Sequence, residues 1–158
     1  MISFSDYIKQ FSKKFVCIEF DPATNAALYK FATDGGFDLS TKYDGSTQDP
    51  KQFKFHTTVF YTTTEHITPA SEIEINMVLK PKKFELLGKD HDVPVIKLKV
   101  NDQLQQIRDI LKKQGYRDAW PTYKPHISLS YKKGKYDLSN LELPRFDIVA
   151  TKLTIQNQ

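Results

Sequence analysis

The sequence feature that most constrains the fold is an eight-residue pattern that occurs twice, about seventy positions apart. The first copy, residues 54–61, is KFHTTVFY, and the second, residues 124–131, is KPHISLSY. Both copies fit Lys-x-His-x-(Ser/Thr)-aliphatic-x-Tyr, and both lie in segments whose alternating character is typical of strands. The repeat therefore predicts two related strands, one in each half of the chain.

Strand geometry predicts which residues of each copy lie together. Because successive side chains point to opposite faces, the Lys, His and hydroxyl residues of a copy share one face. These residues are Lys54, His56 and Thr58 in the first copy and Lys124, His126 and Ser128 in the second. The alternating positions are expected to face the core, and they are Phe55, Val59, Tyr61, Ile127, Leu129 and Tyr131. If the two strands are neighbours, the two polar sets line one cleft.

The rest of the chain predicts an α+β fold with antiparallel-looking strands and a few helices. Strands are expected at 15–20, 53–62, 72–79, 82–87, 93–100, 123–131 and 145–155. Helices are expected at 5–14, from Pro22 to the glycines at 35–36, and from a cap at Asn101 or Asp102 to Gly115. Since the polar loop 38–52 does not resemble a hinge, we expect residues 1–158 to form one domain.

Composition restricts the class of ligand that we expect and the cellular compartment in which we expect the protein. The net charge of +4 and the pI near 9.0 favour an anionic ligand without requiring a long nucleic acid. A single cysteine, Cys17, excludes an internal disulfide framework and favours a reducing, cytoplasmic environment. We expect no membrane partner, because the sequence shows neither a secretory signal nor an apolar run of about 20 residues. No obligate protein partner is inferred.

Two imidazoles that face one pocket suit phosphodiester cleavage without a metal or another cofactor. One neutral histidine withdraws a proton from the attacking oxygen while its protonated partner donates one to the leaving oxygen. Thr58 and Ser128 are candidates to bind the phosphate oxygens, and Lys54 or Lys124 to offset the charge of the transition state.

Plainer interpretations compete with this one. His56 and His126 could be two unrelated strand histidines, and the lysines could serve only to deter edge pairing between sheets. A metal site would need further ligands, which the sequence does not offer at recognised spacing. His66 also precedes a hydroxyl residue by two positions, but it lacks the flanking Lys and Tyr, so we interpret it as a surface residue.

The paired motifs resemble those of the two-histidine (2H) phosphoesterases. The resemblance implies a bilobal fold with one motif on a central strand of each pseudo-symmetric lobe, facing across a cleft. It also implies that His56 and His126 are the catalytic pair and that Thr58 and Ser128 bind phosphate. Within that superfamily, the chain looks like the bacteriophage enzymes that degrade the cyclic oligonucleotide messengers of CBASS defence. A cyclic di- or trinucleotide substrate in the cytoplasm of the host cell is thereby implied.

The aromatic residues before the second motif are candidates for stacking on the bases of such a substrate. They are Tyr116, Trp120 and Tyr123, and packing at the edge of a lobe is the alternative for the first two. Two other functions also remain open. One is an RNA-end-processing enzyme of the same superfamily, acting on 2′,3′-cyclic phosphates or 2′–5′ linkages, and the other is a protein that binds cyclic nucleotides without cutting them.

Overall fold

The structure, a computed structural model, describes residues 14–61, 71–118 and 121–157. Outside the described residues lie His66, Trp120 and all but the last residue of the predicted helix at 5–14. Within these described ranges, seven strands and two α-helices occur in the order β1 Lys14–Phe20, α1 Pro22–Asp34, β2 His56–Tyr61, β3 Ser71–Leu79, β4 Pro81–Leu87, β5 Val93–Leu98, α2 Asp102–Lys113, β6 His126–Ser128 and β7 Ile148–Asn157, with a 3₁₀ turn at Pro50–Gln52.

The strands form two antiparallel sheets. One sheet has four strands in the order β2-β1-β7-β3, and the other has three in the order β4-β5-β6. The predicted α+β class with antiparallel sheets is confirmed. Within the described ranges, no helix is both long and apolar enough to cross a membrane.

Both helices begin where the sequence predicts. The Asp21 carboxylate accepts a hydrogen bond from the Thr24 amide at 2.7 Å, directly before the proline that opens α1. The Asn101 side chain accepts one from the Leu104 amide at 2.8 Å and caps α2. Each cap satisfies an amide that the first helical turn leaves without a partner, which explains why these boundaries are readable in sequence.

The strand that carries the second motif is shorter than predicted. Pairing between β6 and β5 covers only residues 126–128, whereas the sequence suggested 123–131. Prolines lie at both ends of this ladder: Pro125 accepts from the Leu98 amide, and Pro94 accepts from the Leu129 amide, each at 2.9 Å. Because proline has no amide hydrogen, neither pair can exchange the second bond that would extend the ladder.

The outward position of Tyr61 is a second departure from prediction. The pairing of β1 with β2 shifts between Val16 and Cys17, whose partners are Phe60 and Thr58, so Val59 is the extra residue of a bulge. Beyond a bulge the alternation of faces is offset. Val59 and Phe60 are therefore both buried, while Tyr61 is 44% exposed instead of facing the core.

One hydrophobic core joins the two sheets. It combines Ile18 and Val59 from the larger sheet with Ile96 and Ile127 from the smaller one, and Leu104 of α2 packs into it. Each of these side chains is at most 1% exposed, a degree of burial that stabilises a fold by about 1.5–3 kcal/mol per large apolar residue. The core therefore holds β2 and β6, the two motif strands, in a defined relation.

Candidate active site

The two repeat copies meet at the facing edges of the two sheets. β2 is an edge strand of the larger sheet and β6 an edge strand of the smaller one, whereas the resemblance implied central strands. The Tyr123 hydroxyl donates a hydrogen bond to the Thr58 carbonyl oxygen at 2.9 Å and so ties the approach to β6 directly to β2. The structure thus brings the two motifs into one site.

Both histidine rings are held in the same way. The Nδ1 atom of His56 lies 3.2 Å from the Lys54 carbonyl oxygen, and that of His126 lies 2.8 Å from the Lys124 carbonyl oxygen. When Nδ1 carries its hydrogen and donates it to this carbonyl, Nε2 is left to accept or donate a proton elsewhere. The two copies of the repeat therefore share the orientation of the histidine ring as well as the residue types.

Burial lowers the pKa of both imidazoles below the ordinary value of 6.5. The carbonyl contacts oppose this shift because they favour the protonated ring. The charge of His126 further lowers the pKa of His56, so the two rings are within electrostatic range of each other. Two imidazoles that interact in this way are suited to paired acid and base catalysis.

Each histidine has a charged residue opposite it in its sheet. Glu19 is the cross-strand partner of His56, and Lys97 is the partner of His126. Burial has the largest effect on the pKa of each histidine. In addition, Glu19 raises the pKa of His56, while Lys97 lowers that of His126. No sequence pattern marks either residue, because only the strand register places them beside the motifs.

Those two neighbours are themselves ion-paired. Glu19 lies 3.0 Å from the Lys54 ammonium, and Lys97 lies 3.2 Å from the Glu85 carboxylate. Lys54 is therefore next to the site, although 77% of its side chain is exposed and its charge is shared with Glu19. Lys124 is also exposed, and it is close enough to Glu85 to contribute to lowering the pKa of that carboxyl group.

The hydroxyl residues of the motifs lie on the same faces as the histidines. Thr58 and Ser128 are both half-buried, and each follows its histidine by two positions. Burial raises the pKa of the Tyr131 phenol, and the nearby Ser128 side chain partly offsets this shift. Tyr131 also interacts electrostatically with Cys17, the buried strand partner of Thr58. Tyr131 therefore belongs to the site and is not the purely core residue that the alternation predicted.

The candidate stacking residues have other surroundings. Tyr116 is completely buried, and its ring packs 6.0 Å from that of Phe60. A base could reach this ring only if the core opened, so Tyr116 follows the packing alternative. Tyr123 has its hydroxyl on Thr58 and the Arg108 guanidinium 3.7 Å from its ring centre, which covers one ring face. Tyr123 therefore holds β2 beside β6.

Arg108 is a buried cation that the sequence analysis did not single out. It is 4% exposed, forms an ion pair with Asp118 and lies over the rings of Tyr123 and Phe60. Cation–π contacts of this kind strengthen when they are desolvated. Arg108 thereby fixes Tyr123, and through it the spacing of the two motifs. Its position on a helical face otherwise made of leucine and isoleucine was the available signal.

Within the described residues, no group of three or more His, Cys, Asp or Glu side chains is arranged to hold a metal ion.

Comparisons with known proteins complete the description. Among solved structures, Usb1 of Kluyveromyces marxianus is similar over 90% of this chain and 72% of its own, with 10% sequence identity and a TM-score of 0.36. No curated protein matches the chain significantly. The family described as "Anti-CBASS protein Acb1" matches residues 12–157, a range that includes both histidine motifs. The chain belongs to the Acb1 family of anti-CBASS proteins.

Proposed function

We propose that the protein is a phosphodiesterase that opens the 3′–5′ linkages of cyclic di- and trinucleotide messengers and so counters CBASS immunity. The observation that carries the proposal is the matched pair of half-buried histidines. Each ring contacts a carbonyl through Nδ1 and leaves Nε2 for the substrate. Membership of an anti-CBASS family supports the choice of a cyclic oligonucleotide as the substrate.

The proposed chemistry is an attack by the ribose 2′-hydroxyl on the adjacent phosphorus. One histidine of the pair His56 and His126 accepts the 2′-hydroxyl proton as the new P–O2′ bond forms. The other donates a proton to the leaving 5′-oxygen as the P–O5′ bond breaks. The ring opens to a linear product with a 2′,3′-cyclic phosphate, which water can then convert to a phosphate end.

The hydroxyls of Thr58 and Ser128 are proposed to bind the non-bridging phosphate oxygens. Hydrogen-bond donors aimed at the phosphate stabilise charge as it develops in the transition state. Lys54 and Lys124 are proposed to add positive charge at the cleft mouth.

A substrate panel tests the reaction and its rivals together. Purified protein is incubated with cyclic di- and trinucleotides, with RNA that ends in a 2′,3′-cyclic phosphate, and with a 2′–5′-linked oligonucleotide. We expect the cyclic nucleotides to be opened fastest. Faster turnover of linear RNA would replace the proposal with RNA-end processing. Tight binding of a cyclic nucleotide that stays intact would replace it with sequestration.

A further inference from the structure

We propose that Tyr43 is the outer ring of an aromatic platform, completed by Tyr131, on which a nucleobase of the substrate stacks beside Ser128. This inference rests on the proposed function, since it names the contact that holds the base next to the cleaved phosphate. No sequence pattern singled out Tyr43, which lies in the polar loop between α1 and the 3₁₀ turn.

The exposure of Tyr43 is the first observation. Its side chain is 85% exposed, more than any other large hydrophobic residue in the part of the chain that the structure describes. An isolated exposed ring is ordinary on a protein surface. Its position relative to the active site is what makes this one informative.

A chain of contacts links Tyr43 to the second motif. Its ring meets that of Tyr131 edge to face, with the centroids 5.7 Å apart and the planes at 90°. Tyr131 in turn stacks at 5.4 Å on the buried ring of Phe53 and follows Ser128 by three residues in the second motif. The ring of Tyr131 therefore lies between the exposed ring of Tyr43 and the motif that contains Ser128, a proposed phosphate ligand.

The loop tip holds Tyr43 in a defined turn. The Lys42 amide donates to the Ser46 carbonyl at 2.7 Å, and the Gly45 amide donates to the Lys42 carbonyl at 2.9 Å. Gly45 has a φ of +88°, a conformation that other residues rarely adopt. A loop whose backbone is already ordered loses less conformational freedom when a ligand stacks on its side chain.

The base of the same loop is attached to the segment that follows the second motif. The Ser130 hydroxyl donates to the Asp38 carbonyl at 2.5 Å, and the Lys132 ammonium lies 3.1 Å from the Asp38 carboxylate. The loop therefore keeps its position relative to Ser128. Lys42 and Lys132 are exposed nearby and favour an anionic ligand over a neutral one.

Stacking can be measured separately from cleavage. In a His56→Ala background, the fluorescence of a cyclic dinucleotide that contains 2-aminopurine reports both affinity and stacking, because stacking quenches this base. We expect Tyr43→Ala to weaken binding by about 5- to 150-fold and to remove the quenching. Tyr43→Phe should retain both. Ile110→Ala, which truncates an exposed hydrophobic residue on α2, serves as the control and should change neither.

Activity on two substrates separates this inference from the proposed function. With histidines intact, Tyr43→Ala should raise KM for a cyclic dinucleotide but leave cleavage of 2-hydroxypropyl p-nitrophenyl phosphate, which has the attacking hydroxyl but no base, unchanged. If the protein opens cyclic dinucleotides and Tyr43→Ala changes neither KM nor quenching, the platform is refuted and the proposed function stands. If the protein neither binds nor opens them, both are refuted.

Discussion

At the scale of single residues, His56 and His126 have the same environment in two respects. Both are half-buried, and both direct Nδ1 to the carbonyl oxygen two residues earlier in the chain. Burial lowers the pKa of each below 6.5, so at neutral pH the unliganded protein holds mostly neutral imidazoles. The form with one protonated and one neutral ring is then most abundant below pH 6.5.

The pH dependence of turnover follows from this titration. We expect kcat/KM for a cyclic dinucleotide to peak below pH 6.5 and to decline as the pH rises, because the proton donor is lost first. A bound phosphodiester anion favours the protonated ring, so kcat should peak at a higher pH than kcat/KM. Initial rates over about pH 5 to 9 measure both profiles. A flat profile would contradict the assignment of two imidazoles.

Some residues of the site could be predicted from the sequence, and others could not. His56, Thr58, His126 and Ser128 could be singled out because a repeated motif marks them in sequence. Glu19 could not, because it becomes a neighbour of His56 only through the pairing of β1 with β2. Side chains contributed by register or by a loop have no short-range sequence signature.

At the scale of elements, helices and long strands were predictable and the motif strands less so. Capping residues and proline mark the start of α1 and of α2 locally. The end of β6 depends on Pro94 of a neighbouring strand as well as on its own Pro125. The bulge at Val59 likewise depends on pairing between two strands. Non-local pairing is what single-segment patterns cannot report.

Tyr123 is the clearest contact between elements near the site. Tyr123→Phe removes the hydrogen bond to the Thr58 carbonyl, and we expect the free energy of unfolding to fall by about 0.5–1.5 kcal/mol. Denaturant titration measures the change. Tyr43→Phe is the matched control, since the exposed hydroxyl that it removes should contribute little. Equal effects of the two variants would mean that the Tyr123 contact does not stabilise the fold.

At the scale of the whole molecule, the two sheets share one core and place their edge strands together. The sequence predicted the two motif strands but not that β2 and β6 would be neighbours. That proximity results from burial summed over both sheets, with Arg108 and Tyr123 bracing the junction. The arrangement also commits two titratable groups to partial burial.

The stability of the fold should consequently depend on pH. Unfolded histidines bind protons as the pH falls through 6.5, whereas the native pKa values of His56 and His126 are lower. Their contribution to the free energy of unfolding is therefore full above pH 6.5 and is lost as the pH falls towards the native values. Denaturant titrations at several pH values should show this loss in the wild type and less of it in a His56→Gln/His126→Gln variant. If the free energy of unfolding depended on pH as strongly in that variant as in the wild type, the two histidines would be excluded as the source of the dependence.

The central claim is that two histidines of this chain exchange the protons of phosphodiester cleavage without a metal. Ring opening of a cyclic dinucleotide in excess EDTA, compared among the wild type, His56→Ala and His126→Ala, tests it most directly. We predict that the wild type keeps its rate and that each variant loses about 10²- to 10⁴-fold in kcat. Loss of wild-type activity in EDTA, or near-normal activity in either variant, would contradict the account.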